Sequence, residues 1–518
     1  MQKISVICVV LTMCFLGLSS VKAQTVVDDL ADIRSTSSAS LSVGDVILVS
    51  DLSRGGMFRV ASGSVSDDDG ITIVFNDHSS TNKYARRILP TPGWVNIEWW
   101  GAVGDYNYAT RTGTDNGNAI RKAVATRFNV RCGAGSFGLT GTIELYPQQT
   151  FTGTGSPQRA SKEQPSMTEL IWMSDTHGIS TESHDANGAA VSHLVLRAGY
   201  QGSFTSSKQA LHFGTDGATG GSSQQIKASA SDVLTFDWYD GVGIHGYGYE
   251  VRMNRVLNSG FIRNAFRITD QSNIVSLYDC GGLGSAANGG DAKAFYISEA
   301  HQIGIYTPRM ENNRVGMQVV NGASVNVYNA YCEGNRVIDF IIDDPGTTLS
   351  VDGARVFHEN DNVTTTAVFS IKPDVDDASS LTVRNIRVLV TKDETGHDND
   401  LTQFLLVNGD IGFHAYHNID WQAVGDIYAG TGRAPDHMTF RQLPHLEIKS
   451  RGYGSSIAIG FARSIQSGAP TDALFTLTNY DSSTQLVGKH VGSRVYRMDA
   501  STVDFYHWDG SNWNASNK

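Results

Sequence analysis

Two stretches of this chain align without a gap: Tyr306-Thr307-Pro308-Arg309-Met310-Glu311-Asn312-Asn313 and Tyr328-Asn329-Ala330-Tyr331-Cys332-Glu333-Gly334-Asn335. In each, a glutamate follows the tyrosine by five residues and an asparagine follows two later. If the stretches stack, the backbones of Glu311 and Glu333 stand about 4.8 Å apart, one strand spacing. Two carboxylates so close repel, which predicts one raised pKa and hence one acid and one base near neutral pH. Such a pair can break a glycosidic bond. A separation of about 5 to 5.5 Å suits retention of configuration and about 6.5 to 9.5 Å suits inversion. Backbone spacing alone leaves both open. A bland reading competes, because stacked Glu-x-Asn turns also satisfy turn backbone groups.

Other residues offer rival chemistry. Asp270, Glu299, Asn321 and Asp344 recur at one turn position. Asp237, Trp238, Tyr239, Asp240 and His245 form a third cluster, and solvation of turns accounts for both sets equally. A lyase would need a base and a cation to neutralise a uronic carboxylate. Arg252, Arg255, Arg309 and Arg384 could neutralise, and Tyr278, Tyr306 or His245 could take the proton. Asp374, Asp376 and Asp377 could bind calcium, but an exposed acidic loop is the better account of them. No Ser-His-Asp set, phosphate loop or HExxH motif stands out.

The elements that must position these residues are repeats of roughly two dozen residues. Val242-Gly243-Ile244, Phe266-Arg267-Ile268, Phe295-Tyr296-Ile297, Met317-Gln318-Val319, Phe340-Ile341-Ile342, Phe369-Ser370-Ile371 and Phe404-Leu405-Leu406 each read as a short strand with one buried face. A second triplet follows each of the first six, as in Val275-Ser276-Leu277 and Val325-Asn326-Val327. Two registered strands per repeat predict a parallel β-solenoid, in which outward residues stack into columns. One column is Asn254, Tyr278, Tyr306, Tyr328, Asp352 and Arg384. Beside it run Arg252, Ser276, Gly304, Asn326, Ser350 and Thr382. Three outward tyrosines in a row predict a flat aromatic strip on which sugar rings stack, or one that stacks for stability alone.

Bulk properties narrow the classes. The formal net charge is −12, which argues against nucleic acid, because phosphate contacts need a basic surface. An anionic polysaccharide stays admissible through a local basic cleft. Lys3, the apolar run over 4–18 and Val21-Lys22-Ala23 read as a secretory signal peptide cut before Gln24. No later apolar stretch is long enough for a membrane span. Cys132, Cys280 and Cys332 have no pairing pattern and are expected to be core or loop thiols.

Trp100-Gly101-Ala102-Val103-Gly104-Asp105, then Thr114-Asp115-Asn116-Gly117-Asn118-Ala119-Ile120, resembles the opening of the pectate-lyase/phage-tailspike superfamily. Tyr106 stands where that family usually has Gly, and the insert before Thr114 is longer. The resemblance implies an all-β, right-handed parallel β-helix with a short capping helix, expected over 118–128, and small β modules at both ends. It divides the chain into a signal peptide (1–23), an N-terminal β module (24–93), the β-helix (94–434) and a C-terminal β module (435–518). By fold analogy it implies a secreted, periplasmic or extracellular, endo-acting glycoside hydrolase. Glu311 and Glu333 are then the catalytic pair. Tyr278, Tyr306, Tyr328, Arg252, Arg309 and Asp352 would contact a polysaccharide, neutral or anionic. A polysaccharide lyase and a non-catalytic glycan-binding solenoid are the alternatives. No cofactor or metal is expected, nor a nucleic-acid or membrane partner, and the chain is a monomer or a homotrimer.

Overall fold

A computed structural model describes residues 23–155, 167–182, 187–199, 208–215, 227–246, 248–284, 292–358, 367–390, 403–422, 426–430, 435, 437–442, 494–498, 503–508 and 513–516. Parallel strands wind through most of this length into a right-handed β-helix. Its first face is an 11-stranded sheet. Val242, Phe266, Phe295, Met317, Phe340, Phe369 and Leu405 lie in register along that face. Phe266 and Phe295 stack with centroids 5.0 Å apart, and Phe340 and Phe369 do the same at 5.0 Å. Ring separation therefore matches strand spacing, so each buried ring covers the next. The triplet at Phe404 is one residue out: Leu405 pairs with Phe369, while Phe404 is buried edge-on to that ring.

Each coil carries three strands, where the sequence pattern suggested two. The second face holds the second triplets, in the expected register from Ser276 through Gly304, Asn326 and Ser350 to Thr382. The third face is made of strands as short as Gly281–Leu283, Arg309–Glu311 and Tyr331–Glu333. In these only one central residue points inward, such as Met310 or Cys332, too little for an alternation to be legible. Longer strands, Ala189–Ala198, Ala228–Phe236, Arg252–Ser259 and Phe413–Gln422, run round the corner and join both faces into one 20-stranded sheet.

The corner between the second and third faces has one backbone solution. His193, Asp232, Arg255, Asp279, Thr307, Asn329, Gly353, Asn385 and Asn418 all sit at φ between 51° and 77°. The corner N–H of each later coil donates to the carbonyl of the next, as Asp279 N to Tyr306 O at 3.0 Å and Thr307 N to Tyr328 O at 2.7 Å. Asp270, Glu299, Asn321 and Asp344 mark the preceding corner in the same conformation, with φ from 51° to 64°.

The capping helix spans Gly117–Ala125 and buries Ile120, Ala123 and Val124, covering the first coils. It stops short of Phe128, which packs from the chain beyond it. Residues 23–87 form a five-stranded sheet, plus a helix at Leu30–Ser35 whose Asp29 and Asp32 make a capping box. Asp68 closes the acidic turn by accepting the N–H groups of Gly70, Ile71 and Thr72. Arg34–Ser35 and Asp67–Asp69 are tied by guanidinium–carboxylate bonds of 2.8 to 3.0 Å from Arg34. At the other end, Arg494–Met498, Val503–Trp508 and Trp513–Ser516 form a three-stranded antiparallel sheet. Of the C-terminal β module expected over 435–518, residues 443–493 lie outside the described residues. Cys132, Cys280 and Cys332 are buried and unbridged, as expected.

The stacked rings give a direct test of this core. Phe340→Ala removes a fully packed ring and its contact with Phe369. It should cost about 3–5 kcal/mol, read as a lowered denaturant midpoint.

Candidate active site

Glu311 and Glu333 occupy equivalent places on adjacent third-face strands and pair directly in register. Strand periodicity turns both side chains to the outer surface, since Met310 and Cys332 beside them face the bore. Glu311 is buried and Glu333 half-buried. Each has a tether two residues back on its own strand. The Tyr331 hydroxyl donates to Glu333 Oε2 at 2.7 Å. Arg309 Nε lies 3.4 Å from Glu311 Oε1. The bond to Glu333 and burial push the Tyr331 hydroxyl up to about 12.

A buried amide network fixes the backbone under this pair. Asn335 Nδ2 donates to Met310 O at 3.0 Å, and Asn335 Oδ1 accepts the Asn313 N–H at 3.1 Å. One side chain following Glu333 thus grips the strand of Glu311 on both sides of that residue. Asn335 Nδ2 also donates to Asp339 Oδ1 at 2.8 Å, and His358 Nε2 stands 3.1 Å from Asp339 Oδ2. Gly334 turns the chain at φ 62°, where a Cβ would meet Asn312 Oδ1 at 2.6 Å. Asn335 bonds backbone groups as the stacked Glu-x-Asn reading of the sequence had it, whereas Asp339 and His358 were not singled out, because only the fold brings 339 and 358 to it.

Tyr278, Tyr306 and Tyr328 form the predicted column. Their rings stack on one another at 4.7 and 5.1 Å with planes within 10°. Of the two arrangements expected, a flat platform for sugar rings or a stack of the rings themselves, the geometry matches the second. Both faces of Tyr306 and one face each of Tyr278 and Tyr328 are turned to a neighbouring ring, so much of what the column presents outward is ring edges and hydroxyls. Tyr278 is 43% and Tyr328 38% exposed. Gly304 makes room for the inner ring: a Cβ there would lie 3.1 Å from the Tyr306 ring. Burial, then the flanking tyrosines, raises the Tyr306 hydroxyl above its ordinary value.

Of the other candidates, Asp352 continues the tyrosine column and accepts the Asn385 amide at 2.8 Å. Arg309 stands at the glutamate pair, but Arg252 is exposed on the second face, three register steps from Asn326 and away from that pair. Arg255 closes on Asp232 at 2.7 Å. The cluster around His245 is interior. Asp240 is fully buried against Arg263 at 2.5 Å, and Trp238 and His245 are also buried. Only Asp237 of that set is exposed, 3.6 Å from Arg197. Gln209 Nε2 lies 2.7 Å from His245 Nε2, and His245 Nδ1 lies 2.7 Å from Thr269 Oγ1, which donates to Asp270. His212 packs beside His177 and His245 and is 1% exposed. Asp374 comes together with Asp343 and Asp344, their carboxylate oxygens within 4.8 Å of one another. Burial and the two neighbouring carboxylates raise the Asp343 pKa.

One further cluster had no sequence signal. Glu169, buried on the outer side of the early coils, is bonded by the Tyr108 hydroxyl, by Arg197 Nε at 2.8 Å and by Ser136 Oγ at 3.2 Å. Burial raises its pKa against the pull of Arg197. Arg197 also covers the Phe236 ring at 4.2 Å.

No family model matches the chain, and no curated protein matches it. Solved structures do. The chain is similar to the enzymatically active domain of tailspike protein 2 of bacteriophage CBA120, at 12% identity and a TM-score of 0.57 over 78% of this chain and 59% of that one. It is similar to the enzymatically active domain of tailspike protein 4 of the same phage, at 13% identity and a TM-score of 0.52 over 78% and 54%. The chain thus spans less than two thirds of the length of either. At such identity the likeness concerns fold, and the fold is the tailspike-like right-handed parallel β-helix.

The histidine cluster has a pH signature. Burial, with His177 and His245 adding to it, holds His212 down at about 2. An unfolded histidine titrates near 6.5. Between these values the unfolded chain binds a proton that the folded chain refuses. Stability should therefore fall as pH drops below about 6.5, by up to about 1.4 kcal/mol per pH unit from this group. His212→Gln should flatten that slope in denaturation curves taken between pH 7 and 4.

Proposed function

We propose that this chain is a secreted polysaccharide-degrading enzyme, an endo-acting glycoside hydrolase working through Glu311 and Glu333. The observation that carries the reading is the in-register carboxylate pair on an outer face, each member tethered on its own strand. One carboxyl protonates the leaving oxygen while the other attacks or activates water. The tailspike domains of similar fold are described as enzymatically active. The leader-like residues at the start of the chain support export.

A tyrosine acting as a lyase base must be ionised to take the substrate proton, and burial beside its neighbours makes Tyr306 hold its own proton more tightly than an ordinary tyrosine, which counts against Tyr306 in that role. The tethers also bear on stereochemistry. Tyr331 and Arg309 lie two residues before their glutamates, so both carboxylates are drawn in the same direction along parallel strands. Carboxylates that follow their backbones at strand spacing, about 4.8 Å, would suit a retaining mechanism.

Incubation with neutral, uronic and sulfated polysaccharides should release reducing ends without near-ultraviolet absorbance from a new C=C bond. Glu311→Gln and Glu333→Gln should each cut the rate by about 100-fold or more. Absorbance rising with reducing ends would sink the carboxylate mechanism. Proton NMR of the first products should show the anomeric configuration of the substrate, and the opposite anomer would refute retention.

A further inference from the structure

The outward column that opens the third-face strands reads Gly281, Arg309, Tyr331, Arg355, Arg387 and Asp420, in register from strand to strand. Arg355 and Arg387 are therefore direct neighbours on adjacent strands, and both are exposed. Like charges directly opposite in a sheet repel. Arg387 reaches Asp420 at 3.5 Å. Among the described residues no carboxylate pairs with Arg355. Across the corner, exposed Arg384 ends the second-face strand of the same coil as Arg387. Asp352, its register neighbour, is engaged by the Asn385 amide at 2.8 Å.

Three exposed arginines thus fall on two adjacent coils of a chain whose net charge is −12. Their position is specific. The next outward column runs Glu311, Glu333, Phe357 and Leu389, so half-buried Phe357 takes the step after Glu333 and lies beside Arg355 and Arg387. An apolar ring flanked by cations, one strand from a carboxylate pair, matches a sugar that has an apolar face and a negative substituent.

We infer that Arg355 and Arg387, with Arg384 beside them, bind the anionic groups of the substrate, which is a glycan bearing carboxylate or sulfate. A planar guanidinium meets either group with two parallel hydrogen bonds. An anion between Arg355 and Arg387 also relieves the repulsion that the register imposes on them. The inference rests on Glu311 and Glu333 being the reacting pair, because it assigns these cations to the same site.

The test is binding to polygalacturonate, dextran sulfate and neutral dextran by calorimetry at low and high salt. It uses the full mature chain carrying Glu311→Gln to stop turnover. At least one anionic probe should bind in a salt-sensitive way, and dextran should not. Arg355→Gln and Arg387→Gln should each weaken that binding roughly ten- to hundredfold, with Arg355→Lys recovering part of it. Arg59→Gln, on the leading sheet, should change nothing. The two anionic probes distinguish carboxylate from sulfate recognition. Binding of neither anionic probe, equal binding of dextran, or anion binding that survives both arginine substitutions would overturn the inference. The hydrolase reading is judged separately. Anion binding through Arg355, with depolymerisation intact in both glutamate variants, would leave the anion site standing and remove the carboxylate mechanism.

Discussion

The rest of the structure depends on the left-handed corner between the second and third faces. Nine successive coils place one residue there at positive φ. Only Gly353 among them has no Cβ; Asp, Asn, Thr, Arg and His fill the other positions. Asn and Asp tolerate this region best, and a left-handed residue with a Cβ costs roughly 1–2 kcal/mol. The sheet recovers that cost through coil-to-coil bonds from corner N–H to carbonyl and through side-chain ladders such as Asn418 to Asn385 to Asp352 at 2.6 and 2.8 Å. A corner that never slips keeps every residue on either side of it in column. Tyr306 ends one strand before the corner and Arg309 begins the next after it, so the two candidate surfaces share this constraint.

Register also explains how a charged outer face coexists with the fold. Inward residues pack the coils together, through stacked phenyl rings on the first face and through Met310, Cys332 and Val356 on the third. Some of the polar groups that enter the bore bond to one another. Asn313, Asn335, Asp339 and His358 form one connected network directly beneath the glutamates. Such a network in a low-dielectric interior is rigid when its members are bonded. Its location gives the carboxylates a fixed floor, while their side chains answer to Tyr331 and Arg309 outside.

The sequence made the columns legible because a parallel solenoid converts spacing into position. The tyrosine ladder and the match of Glu311 to Glu333 follow from aligning inward residues, and both hold in the structure. What the sequence hid has physical causes. Third-face strands of three or four residues show only one or two inward side chains, so their alternation does not rise above noise and Arg355 and Arg387 went unnoticed. Phe404 broke the register because two adjacent apolar residues, Phe404 and Leu405, are both buried there. The tyrosine column was placed correctly, yet ring orientation depends on Gly304 leaving space, which spacing cannot express. Glu169 and Arg197 meet only because their coils stack, and neither sits in a repeat of its own kind.

A solenoid pays for order by setting like residues side by side, and how each ladder meets that repulsion separates scaffold from site. Tyrosines may stack without charge, and their rings gain contact from it. Asp232 and Arg255 alternate in sign along the corner and close a 2.7 Å bridge. Glu311 and Glu333 repeat in sign, but each has a donor or cation two residues back on its own strand. Arg355 and Arg387 repeat in sign, and among the described residues the carboxylate paired with them is Asp420, at the far end. Repulsion balanced within the chain is consistent with architecture. Repulsion left open beside a carboxylate pair points to a negative group supplied from outside, and it does so without reference to any relative of this protein.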